Sequence, residues 1–187
     1  KASIVDAFRG KLDPATHLVL RCVGRPTLRD NPYAMVSDLT RDLFGLSEDA
    51  EPREVKRRIE AAVQLLFKPS EVREAQKVVD ALSVLLGVRV PGADELDAGE
   101  RRHRLYAAMR TLQARLAEGR TLVVVVEDMH WADDTTLEMV DWLLGCPDLR
   151  FGVFAFGRPE IGARVPQLWE KRNVTRLTLA PLSPLAA

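Results

Sequence analysis

Two acids stand at the end of the most apolar stretch of this chain: Leu122-Val123-Val124-Val125-Val126 runs directly into Glu127-Asp128. Adjacent carboxylates repel one another unless a cation or a set of hydrogen bonds compensates them. Such a pair suits Mg2+, which takes oxygen ligands and bridges phosphate oxygens. A second acid beside the metal-holding one can orient or deprotonate an attacking water. The same two residues also suit a plainer role, the start of a polar loop after a core strand. The apolar run and its two acids alone leave both readings open.

Chemistry of this kind needs rigid elements behind it. The run Leu122–Val126 is apolar on both strand faces, the pattern of a parallel strand covered by helices on each side. That places Glu127 and Asp128 at the carboxyl edge of a sheet, where ligands bind in open α/β folds. His17–Val23 and Phe151–Phe156 also read as strands, and Val174–Leu179 as a last one. A short helix carrying Ile4, Val5 and Phe8 stops at Gly10. Four amphipathic helices follow the first strand, carrying Val36, Leu39 and Leu43; Val55, Ile59, Val63 and Leu66; Val72, Ala75, Val79, Leu82 and Leu86; and Leu105, Met109, Leu112 and Leu116. Gly119 ends the last of these. Asp133 offers an N-cap to a helix with Leu137, Val140 and Leu144 on one face, and a short helix is expected around 161–169. The alternation of strands and helices after Gly119 predicts an α/β domain with a mostly parallel sheet.

Composition narrows the function classes. The 187 residues carry 27 Lys+Arg against 27 Asp+Glu, so no general basic surface for nucleic acid is present. Residues 101–120 hold six arginines against one acid, Glu118, but their apolar period makes this an amphipathic helix with a solvated basic side. The acids Asp94, Glu95, Asp97 and Glu100 before it favour a helix start. No apolar run approaches the ~20 residues of a membrane span. Two cysteines, Cys22 and Cys146, are too few for a disulfide framework and point to a reducing, cytoplasmic setting. His103 and His130 have no metal-ligand spacing with either cysteine, which argues against zinc. Cys22, Trp142 and Trp169 are expected in the core. The chain opens at Lys1 rather than Met and reads as a piece of something longer.

The whole run Glu127-Asp128-Met129-His130-Trp131-Ala132-Asp133 after a hydrophobic strand resembles the Walker B region of bacterial STAND ATPases, a signalling branch of the AAA+/P-loop class. Domains of this kind accompany serine/threonine kinases, class III adenylyl cyclases and LuxR-type regulators. Asn31-Pro32-Tyr33 with Leu39, Leu43 and Gly45 is similar to their first insert helix. Phe154-Ala155-Phe156-Gly157-Arg158-Pro159-Glu160 looks like the strand leading to a sensor arginine, and residues 177–183 like the last strand and its exit. The resemblance implies a P-loop NTPase-like three-layer αβα fold with a helical insert over 24–119, within a single domain spanning 1–187. It further implies ATP and Mg2+ as ligands, Glu127 in the metal-side place, Asp128 nearer the attacking water and Arg158 reaching the γ-phosphate. The partners implied are the other domains of the same polypeptide and nucleotide-dependent self-association.

A P-loop needs G-x-x-x-x-G-K-[ST], and no such run occurs in the chain. Lys1-Ala2-Ser3-Ile4-Val5 resembles the end of that motif and the helix it opens, which makes Lys1 the phosphate lysine and places the glycines and the central first strand upstream. Ala2 then stands where Ser or Thr ligates Mg2+, and Ser3 lies one residue on, turned about 100° around the helix. Two alternatives to an ATP-hydrolysing regulatory switch follow: a catalytically degenerate nucleotide-binding or interaction scaffold, and a DNA-linked AAA+ regulator.

Overall fold

The computed structural model describes residues 2–179, except the side chains of Ala2, Ser3, Arg9 and Leu28. Helix α1 (Ala2–Arg9) leads to strand β1 (His17–Val23). Four helices follow: α2 (Ala34–Leu43), α3 (Pro52–Leu66), α4 (Val72–Leu85) and α5 (Ala98–Ala117). Strand β2 (Thr121–Glu127), helix α6 (Asp134–Leu144), strand β3 (Phe151–Ala155) and helix α7 (Glu160–Arg164) complete the order. The sheet is parallel throughout, in the order β1-β2-β3. Val19 and Val123 are paired in register, as are Val125 and Phe154.

The sheet is covered on both faces, as the uniform burial of Leu122–Val126 requires. On one face, Val5 of α1 is buried with Val125 and Phe156, and Phe8 stacks on Phe154 at 4.0 Å between ring centroids. On the other, Cys22, Val124 and Val126 pack with Met35 of α2, Leu137 of α6, and Trp169. A second apolar core joins α3, α4 and α5 through Ile59, Val63, Leu82 and Leu112, and reaches the first through Met139 and Leu143 of α6. The helical segment between β1 and β2 thus has an interior of its own.

The helix ends follow local chemistry. Asp97 accepts the Glu100 N–H at 2.8 Å while the Glu100 carboxylate accepts the Asp97 N–H at 3.4 Å, a reciprocal N-terminal box on α5. At the other end, Glu118 (φ 46°) and Gly119 (φ 82°) both enter the left-handed region and turn the chain into β2.

Three expectations are corrected. Residues 174–179 form no strand; Val174, Leu177 and Leu179 are exposed. Their apolar alternation supplies strand propensity, but a strand exists only where its backbone pairs with a neighbour, and among the described residues this segment pairs with neither open edge of the sheet. Trp142 is 38% exposed: its ring leans on Tyr106 at 5.3 Å from the outer side of α6. Helix α7 is only five residues long, because Val165, restricted by the Pro166 that follows it, leaves the helical region at φ −130° and ψ 77°.

Candidate functional site

Glu127 is the last residue of β2, and parallel pairing puts its side chain on the same face as Val125, the face that α1 covers. The end of α1 and the turn after it (Gly10, Leu12) gather with His17 and Arg120 at the amino edge of the sheet. The first turn of α1 therefore faces the carboxyl edge, where Glu127 lies. Lys1 lies outside the described residues, as do the side chains of Ala2 and Ser3; the backbone of Ala2 and Ser3 forms that first turn.

Arg21 of β1 reaches across to Glu127, Nε to Oε1, at 2.5 Å. This ion pair and hydrogen bond, helped by Asp6, raise the guanidinium's pKa above its ordinary value and hold it charged. The Glu127 side chain is 13% exposed and that of Arg21 55% exposed, so the pair sits at the rim of the site. Arg21 compensates one of the two adjacent carboxylates that repulsion would otherwise oppose.

Asp128 turns the chain out of the strand. Its φ of 48° and ψ of 41° are left-handed, a conformation Asp tolerates better than most residues. Its neighbours hold it there: Gly24 N–H donates to the Glu127 carbonyl at 2.8 Å, and Met129 N–H donates to the Phe156 carbonyl at 2.8 Å. Gly24 approaches so closely that an added Cβ would lie 2.4 Å from the Asp128 carbonyl oxygen. A 3-10 turn over Met129–Trp131 follows, with Trp131 N–H donating to Asp128 O at 2.9 Å.

Asp133 closes the segment and is 3% exposed. Its Oδ1 accepts the Thr136 N–H at 2.8 Å, which caps α6 as its sequence position predicted. The same carboxylate also accepts the N–H groups of Tyr33 (2.9 Å) and Met35 (3.3 Å), and so holds the start of α2. One buried acid caps two helices 100 residues apart in sequence. Nothing in the local pattern pointed to the second.

Arg158 lies in the exposed turn after β3, at the same edge as the acid pair. Sequence reasoning overlooked Arg21, which a strand pattern marks only as a polar interruption of HLVLRCV. It also missed Arg164 of α7, whose Nη1 donates to His130 O at 3.0 Å and Nη2 to Ala132 O at 2.7 Å.

Among the described residues, no group of three or more His, Cys, Asp or Glu could hold a metal. Glu127 and Asp128 suit instead a cation held largely by water and phosphate oxygens, the usual state of Mg2+ beside a nucleotide. Cys22, on the face of β1 that packs against α2, offers no thiolate: burial, then the charges of Asp38 and Glu127, push its pKa up to about 12.

No helix among the described residues is long and apolar enough to cross a membrane. No curated protein and no solved structure matches this chain. A model of the AAA ATPase domain, a nucleotide-binding fold, matches residues 1–155. With the parallel sheet and the acid pair at its carboxyl edge, that match settles the family: the chain belongs to the AAA ATPase domain family.

Proposed function

We propose that this domain is a STAND-type regulatory switch that takes up ATP with Mg2+ at the carboxyl edge of its sheet and is reset by slow hydrolysis. In this reading residues 1–187 act as one domain, with 24–119 as its helical insert, inside a cytoplasmic signalling polypeptide whose other domains it controls. The observation that carries it is the Glu127–Asp128 pair at the end of a buried parallel strand, on the edge that the first turn of α1 faces. Bound Mg2+ would neutralise phosphate charge during hydrolysis.

The roles follow from position. Glu127 holds the metal, directly or through water, and exchanges its Arg21 partner for it. Asp128, set in the left-handed turn, orients the attacking water. Arg158 offers a fixed positive charge to the γ-phosphate from the β3 side. Ala2 and Ser3 open α1, and in this reading they and Lys1, which precedes them in sequence, serve the phosphates; Ala2 brings no hydroxyl to the metal, which is consistent with slow turnover.

The second reading is a scaffold that binds nucleotide without hydrolysing it. Ala2 and the hold of Arg21 on Glu127 favour it. Phosphate release by the full-length protein under saturating MgATP separates the two. The switch reading expects slow release that Glu127→Gln with Asp128→Asn lowers by about 100-fold or more, with nucleotide binding retained. Release unchanged by that double substitution overturns the assignment of the acid pair. Tight binding with no release from the unaltered protein supports the scaffold.

A further inference from the structure

The acid turn is held from below by one side chain that the proposed roles leave unused. We propose that Arg164 is a positioning residue for hydrolysis: it locks the turn that carries Asp128 to the loop that carries Arg158. This rests on the assignment of Asp128 and Arg158 made above.

Arg164 closes α7, six residues after Arg158. Its side chain is 18% exposed, and its two terminal nitrogens are spread over two carbonyls of the acid segment, His130 O at 3.0 Å and Ala132 O at 2.7 Å. Nη2 also lies 3.3 Å from Asp134 Oδ1. Those carbonyls stand at the end of a 3-10 turn, where backbone acceptors run out of internal donors. His130 and Ala132 are 9% and 1% exposed, so water is a poor substitute. A charged fork on two carbonyls fixes direction as well as distance, which a lysine's single nitrogen cannot do.

The lock acts on both the Asp128 side and the Arg158 side of the site. At the near end of the turn, Asp128 O accepts from Trp131 N–H at 2.9 Å and Met129 O accepts from Ala132 N–H at 2.9 Å, so a shift at His130–Ala132 is passed to Asp128. On the other side, Arg158 O accepts the Ile161 N–H at 3.2 Å, and Ile161 O accepts the Val165 N–H at 2.9 Å, so anchoring Arg164 anchors the Arg158 loop. The relative placement of Asp128 and Arg158 therefore depends on Arg164.

The Nε of Arg164 is buried with no hydrogen-bond partner. Both bonds to the turn come from Nη1 and Nη2, so free guanidinium can supply them in the cavity left by Arg164→Ala.

The test uses the full-length protein with Arg164→Ala and Arg164→Lys. Both variants are expected to bind MgATP within about threefold of the unaltered protein and to release phosphate about tenfold or more slowly, since small misplacements of reacting groups weigh heavily on rate. Millimolar guanidinium should restore release in Arg164→Ala and leave Arg164→Lys slow. Amide exchange should speed up at residues 129–133 in Arg164→Ala while the α3–α4 core stays protected. Unchanged exchange at 129–133 overturns the proposal. So does a general loss of protection and of binding that guanidinium does not reverse, which assigns Arg164 to fold stability alone. If the unaltered protein releases no phosphate, the switch reading falls, and exchange at 129–133 still decides whether Arg164 holds the turn.

Discussion

The carboxylate of Asp133 carries more of this site than its place in the sequence announces. It accepts from three backbone N–H groups and from the Thr135 and Thr136 hydroxyls, while 3% exposed. Asp133→Ala leaves those donors buried without an acceptor and should destabilise the domain by about 2–4 kcal/mol, with Asp133→Asn milder, read from urea unfolding. A loss below about 0.5 kcal/mol would mean that water replaces the carboxylate. Gly24 makes a steric demand instead. Gly24→Ala places a methyl against the Asp128 carbonyl and the Trp131 side chain, so both stability and phosphate release should drop. Cys22 supplies a third check. Because burial holds its thiol protonated, iodoacetamide at pH 8 should label Cys146 well before Cys22 in the native protein. Faster labelling at Cys22 would show β1 opening away from α2.

Among the elements, the seam between the start of α4 and the flank of α5 is held by charge. Glu71 accepts from the Lys68 N–H at 2.9 Å and from Arg115 Nη2 at 2.6 Å, while the Arg115 guanidinium lies 4.9 Å from the centre of the Phe67 ring. The Lys68 N–H first, then Arg115, hold the Glu71 carboxyl below its ordinary 4.5. A carboxyl depressed on folding contributes stability that is fully present above its unfolded pKa and is lost as pH falls through the folded value. Stability should therefore decline as pH drops below about 4.5, and Glu71→Gln should flatten that part of the profile. An identical profile in Glu71→Gln would place the acid sensitivity elsewhere. The arginines of α5 spend their charge in this way. Arg110 pairs with Asp148 at 2.6 Å and Arg115 with Glu71, which accords with a basic side built for neighbours and solvent.

For the molecule as a whole, the Asp133 double cap ties the acid segment to α2, the first α-helix between β1 and β2, while the core of α3–α5 meets the sheet through α6. A ligand that orders the carboxyl edge should then stabilise both cores together. At a hundredfold excess over Kd, binding adds about 2.7 kcal/mol, a rise in melting temperature on the order of 5–10 °C for a domain of this size. One transition shifting as a unit is the expected scan. Two transitions, only one of them moved by MgATP, would show that the α3–α5 core and the sheet do not share the ligand's effect.

Much of this arrangement was legible in the chain, because local patterns carry it. Leu122–Val126 is apolar on both faces and became the buried middle strand; the 3.6-residue period of Val55, Ile59 and Val63 became a packed helix face; Asp97 and Glu100 closed a box within one turn. The family resemblance of the segment from Glu127 to Asp133 led to the right class of domain, and the acid pair lies at the carboxyl edge that its strand demanded. Only the tertiary structure decided which charges meet. Arg21 and Glu127 are separated by 106 residues, Asp133 and the Tyr33 N–H by 100, and Arg164 lies more than 30 residues from the carbonyls it grips. Hydrogen bonds and ion pairs of that span depend on strand order, register and helix placement. A pattern of neighbours along the chain records the period of an element, and carries nothing about which element lies beside it.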